Sequence, residues 1–233
     1  MPVLTPLFNI KSLKEQVYDY LREQMRAGEI LPGSEINLEE TSRKLGVSRT
    51  PLRDALLQLE TEGFVTIFPR RGIVVNPLTL EEIRKYYEII GALESTALLL
   101  AFEKIGRDEI SSMERQIEEM DHALGAGDFD SYYARNLEFH DVYLSRCGNE
   151  NLVRIVQTLK KRLYDFPRRK GYVKEWEMSS IREHQELVCL VKQGNAAGAS
   201  AFVRDVHWSF QVQEKFINEY YKRAPELATK GSL

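Results

Sequence analysis

The segment from Leu45 to Arg53 constrains the fold more than any other part of the sequence, because it combines a tight turn with the start of a helix. Gly46 can adopt the backbone angles that a turn between two helices requires. Ser48 can cap the free N–H groups of the next helix, and Pro51 is tolerated only in a first helical turn. We therefore expect a helix-turn-helix whose second helix begins near Ser48.

The first residues of that second helix carry groups that recognise DNA. Arg49, Thr50 and Arg53 lie in its N-terminal part, which enters the major groove in helix-turn-helix proteins. Arg can pair with guanine through two hydrogen bonds, and Thr can reach bases or phosphates. The alternative is that the two arginines only solvate an exposed helix face. The prediction rests on their placement, since the whole chain has a formal net charge of −3.

The pattern around this segment predicts a winged helix. Apolar residues recur with a helical period in three segments, residues 13–28, 38–45 and 48–62. The period then becomes extended over residues 64–68 and 73–75, which predicts a two-stranded hairpin. The turn between its strands holds Arg70, Arg71 and Gly72, which suits contact with a phosphate or the minor groove.

The second part of the chain has a different organisation. Asn76-Pro77-Leu78 breaks the pattern and the rest is helical, so we place a DNA-binding domain at residues 1–76 and an all-helical domain at 77–233. The predicted fold class is mainly α, a winged helix-turn-helix followed by an antiparallel helical bundle. We expect its fifth helix to begin with a cap formed by Ser180 and Glu183, and its sixth to run unbroken from about Ala196 to Lys222.

Composition and cysteine usage predict a cytoplasmic protein. With 43% hydrophobic and 29% charged residues the chain has the composition of a folded protein, and it contains no run of membrane-spanning length. Cys147 and Cys189 lie in apolar helical patterns without metal-binding spacing, so we expect two buried thiols. The loop from Phe166 to Lys174 is strongly basic.

The four histidines divide by helical phase. His122 shares a face with charged residues and is expected on the surface, whereas His140, His184 and His207 share faces with apolar residues. With Asn136, one turn before His140, these three could ligate one divalent ion. Considered alone, buried histidines bonded to the backbone would be the commoner explanation.

Residues 11–75 resemble the winged-helix domain of GntR-family transcriptional regulators. The resemblance is carried by four motifs: Leu31-Pro32-Gly33, the segment 46–56, the segment 59–65 and Arg70-Arg71-Gly72. It implies that Ser48, Arg49, Thr50 and Arg53 contact an operator, and that Gly72 lets the wing approach the minor groove.

Residues 80–220 look like the FCD-type effector domain of the FadR-like branch of this family. Asn136-Leu137-Glu138-Phe139-His140, Glu183-His184 and His207 match its metal-binding elements. The resemblance implies that Asn136, His140, His184 and His207 hold a divalent metal ion, with Zn or Ni favoured, beneath a cavity for an organic acid.

Three positions depart from the pattern of that branch. Asn136 replaces an Asp, and the segment between His184 and His207 is one residue longer, which rotates a helix by about 100°. Ile90 stands where many relatives carry an Arg that clamps the effector. The candidates for replacing that arginine are Arg162, Tyr87, Tyr133 and Tyr164.

These observations predict a regulator rather than an enzyme: a homodimer that binds a palindromic operator and responds to a small organic acid. One alternative is a regulator without metal that senses an acyl ligand. Another is a three-histidine metalloenzyme, which needs a general base beside the ion. We expect no such base, because Glu138 and Glu183 lie off the histidine faces or next to one at a helix start.

Overall fold

The computed structural model describes residues 11–164 and 173–226, which fall into two compact units that part between Leu78 and Thr79. The first unit contains α1 (Leu13–Arg26), β1 (Glu35–Ile36), α2 (Leu38–Leu45), α3 (Arg49–Thr61), β2 (Val65–Phe68) and β3 (Gly72–Val75). The described part of the second contains α4 (Leu80–Ala101), a 3-10 turn (Phe102–Lys104), α5 (Arg107–Ala126), α6 (Phe129–Leu144), α7 (Glu150–Tyr164), α8 (Lys174–Lys192), α9 (Ala196–Phe202), a π-helical turn (Val203–His207) and α10 (Phe210–Glu226).

The first unit is a winged helix-turn-helix, as predicted. Its core is formed by apolar side chains of α1 and α3 together with Phe64 and the inward residues of the sheet. The strand order is β1-β3-β2, with both pairs antiparallel. The two-residue strand β1 was not predicted, because two residues are too few to show an alternating pattern.

The turn before α3 is closed differently from our expectation. Ser48 occupies the N-cap position of α3, but its side chain makes no capping hydrogen bond, so the predicted cap is wrong. Gly46 takes the left-handed conformation with φ of 65°, and the Ser42 hydroxyl donates to the Val47 carbonyl. These two features fix the turn without Ser48.

The second unit begins with α4, whose first turn is closed by a capping box of Thr79 and Glu82. The predicted cap at Ser180 is wrong, because α8 already begins at Lys174 and Ser180 lies in its interior. The amino-acid pattern of a capping box can also occur inside a helix when the preceding residues favour helix as well. Most of the basic loop predicted at 166–174 lies outside the described residues.

The predicted unbroken last helix is also wrong. Between α9 and α10 the chain forms a π-helical turn, in which the Trp208 N–H donates to the Val203 carbonyl five residues earlier at 2.9 Å. Such a turn takes up one extra residue within a helix. A turn of this kind would absorb the one-residue excess that the sequence analysis expects between His184 and His207, and His207 lies beside His140 and His184.

The two cysteines differ in exposure. Cys147 is buried, as predicted, whereas Cys189 is exposed, which corrects the expectation for that residue. Residues 187–191 are all apolar, so periodicity alone could not separate the inward side chains of Leu187 and Val188 from Cys189. In the described part of the chain, no helix is long and apolar enough to span a bilayer.

Candidate DNA-binding surface and metal site

The residues predicted to contact DNA all lie on the surface of the first unit. They are Ser48, Arg49, Thr50, Arg53, Arg70, Arg71 and Gly72. The orientation of α3 follows from its periodicity, because Leu52, Ala55, Leu56 and Leu59 are fully buried in the core. The start of α3 therefore presents its cationic and hydroxylated side chains to solvent, and their contact with DNA stays a prediction.

Arg49 has one ion-pair partner in the described structure, Glu39 of α2, at 3.4 Å. Both side chains are largely exposed, at 71% and 78%. An exposed pair of this kind contributes only about 0–1 kcal/mol. Breaking this ion pair, so that Arg49 can contact a base or a phosphate, therefore costs little free energy.

The wing tip holds a cation in an unfavourable backbone conformation. The Arg71 N–H donates to the Phe68 carbonyl at 3.0 Å, which closes a turn in which Arg70 has a φ of 64°. A left-handed angle favours glycine, and an ordinary side chain there costs on the order of 1 kcal/mol. The turn thus holds an exposed guanidinium at the tip of the hairpin.

The three inward histidines come together in the second unit. His140 of α6, His184 of α8 and His207 of the π-helical turn each offer a ring nitrogen within 4.8 Å of the others. His140 and His184 are 0% and 1% exposed. Asn136 is buried on α6, one turn before His140. His122 is exposed, as predicted.

The free ring nitrogens of this cluster fit a metal ion. His140 Nε2 and both ring nitrogens of His184 have no hydrogen-bond partner within the described structure, although they are buried. A buried polar atom without a partner costs about 1–3 kcal/mol, so native proteins rarely leave three together. Neutral imidazole nitrogens are the ligands that Zn and Ni accept.

A carboxylate missed by the sequence analysis supports His140. Glu94 of α4 is fully buried, and its Oε2 accepts from His140 Nδ1 at 3.0 Å, Trp208 Nε1 at 2.9 Å and the Tyr143 hydroxyl. Lys160 of α7 forms an ion pair with its Oε1. The signal was present in the sequence, because Glu94 lies four residues from both Ile90 and Leu98 on the apolar face of α4.

Burial and the charge of Lys160 hold His140 neutral. Burial, followed by the positive charge of Lys160, lowers the pKa of His140 from 6.5 to about 3. Burial would raise the pKa of Glu94, but Lys160 and His140 hold that pKa well below 4.5. The contact between Glu94 and His140 is therefore a hydrogen bond from a neutral imidazole, which leaves the lone pair on Nε2.

A second carboxylate supports His207. Glu183 Oε2 lies 2.8 Å from His207 Nδ1. The expectation that no carboxylate would stand beside the histidines is therefore wrong for Glu183, and it also overlooked Glu94. Both carboxylates already hold a histidine Nδ1, the arrangement that orients metal-binding imidazoles.

The predicted effector residues are distributed over the second unit. Tyr87 is buried against Trp208, with ring centroids 5.2 Å apart, and Trp208 in turn contacts His207. Tyr133 stacks on Phe129 of its own helix. Arg162 is buried, burial lowers its pKa, and Tyr86 opposes that shift. Among these contacts, only those of Tyr87 lead to the histidine cluster.

Comparisons with known proteins identify the family of each unit. The family described as "Bacterial regulatory proteins, gntR family" matches residues 13–75, and the family described as "FCD domain" matches residues 85–206. The HTH-type regulator YdhC of Bacillus subtilis is 29% identical over 190 residues, covering 81% of this chain and 84% of that protein.

Two further comparisons extend this result. The Nta operon transcriptional regulator of Aminobacter aminovorans is 33% identical over 134 residues, covering 57% of this chain and 62% of that protein. The solved structure of E. coli McbR/YncC has a TM-score of 0.71 at 20% identity and covers 92% of this chain and 100% of that one, which shows a shared fold.

We expect the metal-free protein to lose stability as the pH falls below 6.5. Between 6.5 and the folded pKa of about 3, the unfolded chain binds a proton at His140 that the folded protein does not. For each pH unit of acidification within that window, His140 alone should lower the free energy of unfolding by up to about 1.4 kcal/mol. Above pH 6.5 it should have no effect. Urea unfolding of the wild type and of His140→Gln measures the difference, and equal slopes would contradict the assignment.

Deleting Asp205 should leave His207 beside the other histidines. Asp205 is exposed and pairs only with its neighbour Arg204 among the contacts of the described structure. Its removal takes one residue out of the π-helical turn, so the turn can become α-helical with the same phase on both sides. Cobalt affinity, measured by titration, should stay within a few-fold of wild type. Inserting an alanine after Asp205 should abolish that affinity, and equal behaviour of the two variants would refute this account.

Proposed function

Because the chain belongs to the GntR family of bacterial transcription regulators and carries an FCD domain, we propose that it senses a small organic acid through a metal ion and binds a palindromic operator as a homodimer. Two observations carry the proposal: an exposed cationic helix start in the first unit, and a cluster of two buried imidazoles and one half-buried imidazole in the second. We also propose that the protein belongs to the FadR-like branch of this family and acts in the cytoplasm.

The DNA contact assigns different roles to helix and wing. Arg49 and Arg53 read base edges from the start of α3, while Ser48 and Thr50 bind phosphates or bases. Arg70 and Arg71 reach the minor groove or its phosphates from the wing, where Gly72 permits close approach. The support is the exposure of all seven residues.

A two-fold dimer fits this mode of binding, because two reading helices must lie about 34 Å apart to meet successive half-sites. The exposed side of α4 offers an apolar surface for a second copy. Ile89, Leu99 and Leu100 are each more than two-fifths exposed there. Large apolar side chains grouped on a surface indicate an interface.

The metal proposal assigns His140, His184 and His207 as ligands, with Asn136 as the fourth protein ligand. Zn or Ni suits three imidazoles. A bound ion would offer open positions to the carboxylate of an effector. Asn136 carries no charge, so an anionic effector would help to balance the charge of the ion.

The effector is proposed to bind beside Tyr87, with Tyr133 and Arg162 as further candidates. A groove of about 670 Å³ is lined by Arg84, Phe210 and Trp208, and the indole of Trp208 donates to Glu94. An effector changes operator affinity only if it binds two arrangements of the protein unequally.

The alternatives differ in what they ask of the histidines. The matched families and relatives are transcription regulators, not enzymes, and Glu94 and Glu183 are both occupied in holding histidines. A regulator without metal that senses an acyl ligand would not respond to a chelator. Elemental analysis of the purified protein separates it from the proposal.

Arg49→Ala should remove specific DNA binding. One bidentate contact to guanine contributes about 1–3 kcal/mol, so its loss from both halves of a dimer weakens binding on the order of 30-fold or more. Fluorescence anisotropy with an operator selected from random DNA measures this change. Arg107→Ala, an exposed arginine at the start of α5, is the matched control and should bind as the wild type does. Unaltered specific binding by Arg49→Ala would refute the DNA assignment.

Zn or Ni should stabilise the wild type against heat, and EDTA should reverse the effect. Binding at 100 times the dissociation constant adds about 2.7 kcal/mol to the free energy of unfolding. His140→Ala should lose this response, whereas His122→Ala, which changes an exposed histidine, should keep it. If His140→Ala responds to metal as the wild type does, the proposed site is incorrect.

A further inference from the structure

Gln213 of α10 is a buried polar side chain that contacts α8. It lies on the first turns of α10 and is 2% exposed. Its amide uses both ends: Oε1 accepts from Trp176 Nε1 at 2.9 Å, and Nε2 donates to Glu183 Oε1 at 2.9 Å. Because an indole N–H can only donate and a carboxylate can only accept, these two partners fix which way the amide points.

Glu183 links this amide to the histidine cluster. Its Oε1 accepts from Gln213, and its Oε2 accepts from His207 Nδ1. A hydrogen bond from Nδ1 places the ring proton on that nitrogen and leaves the lone pair on Nε2. The tautomer and orientation of His207 therefore depend on the rotamer of Glu183, which Gln213 holds at 2.9 Å and the Ser179 hydroxyl contacts at 3.4 Å.

Trp176 anchors the far end of the chain of hydrogen bonds. It lies in the first turn of α8, and its ring stacks on Phe216 of α10, with centroids 6.2 Å apart and planes 9° apart. The arrangement parallels that at His140, where Trp208 Nε1 donates directly to Glu94. Both tryptophans of the protein thus donate to the groups that support the histidines.

We propose that Gln213 is a positioning residue of the metal site, acting on His207 through Glu183. This inference rests on the proposed function, since it concerns how the same three histidines are prepared for a metal ion. It makes α10 part of the site although that helix contributes no ligand. Occupancy of the site is thereby coupled to the packing of α8 against α10.

The residue type at this position follows from the same contacts. Glutamine donates to Glu183 and accepts from Trp176 at once, whereas a glutamate would repel Glu183. Methionine has a similar volume and would remove the acceptor of Trp176 Nε1 and the shorter of the two hydrogen bonds to Glu183 Oε1, leaving only the Ser179 hydroxyl at 3.4 Å. Gln211, two residues earlier on α10, is exposed and provides a matched control for the same substitution.

The test compares Gln213→Met with Gln211→Met by titration with Co²⁺, following the visible absorption of the bound ion. Loss of a group that orients a metal ligand typically weakens affinity about 10–100-fold, so Gln213→Met should weaken Co²⁺ binding by at least about 10-fold and alter the spectrum. Gln211→Met should match the wild type. Thermal unfolding of the metal-free variants checks that both are folded.

Two further variants separate positioning from general destabilisation. Glu183→Leu alone should also weaken Co²⁺ binding, and adding Gln213→Met should cause little further loss, because the two residues act in series. Trp176→Phe keeps an aromatic ring but removes the indole N–H, and it carries the same test if Gln213→Met does not fold. It should weaken Co²⁺ binding and alter the spectrum in the same direction.

The outcomes are distinguishable from failure of the proposed function. If the wild type binds no Co²⁺, both the metal site and this inference are overturned. If the wild type binds Co²⁺ and folded Gln213→Met binds it within two-fold of wild type with the same spectrum, only the role of Gln213 is overturned. Independent, additive effects of Gln213→Met and Glu183→Leu would likewise contradict action through Glu183.

Discussion

The second unit depends on keeping several polar groups inside a helical bundle. His140, His184 and Glu94 are all buried, and each would be costly there without a partner. Lys160 neutralises Glu94, and Glu94 in turn fixes the proton of His140. These contacts leave buried ring nitrogens of His140 and His184 without a hydrogen-bond partner in the described structure. A divalent ion needs such nitrogens as ligands, whereas a hydrophobic core does not.

The sequence was most informative where a local rule is strict. Gly46, Pro51 and the hairpin turn each need a particular backbone conformation, so the winged helix could be predicted with the start of α3 nearly in place. The phase of His140 and His184 also separated them from His122. In these cases the necessary information lies within a few residues of the position concerned.

What the sequence did not predict depends on contacts between distant segments. The support of His140 by Glu94 joins residues 46 apart, and no local pattern specifies that pairing. No amino-acid pattern marks a π-helical turn, so the break between α9 and α10 could not be foreseen. Ser180 shows a different error. Ser180 and Glu183 have the spacing of a capping box, but α8 has already begun at Lys174.

The central claim is that the three histidines hold one metal ion through nitrogens that their neighbours leave free. X-ray absorption spectroscopy of the zinc-loaded protein tests it most directly, because the first coordination shell reports the ligand atoms and their distances. We expect at least three imidazole nitrogens at about 2.0–2.1 Å from zinc. A first shell without histidine, or zinc held by sulfur, would contradict it.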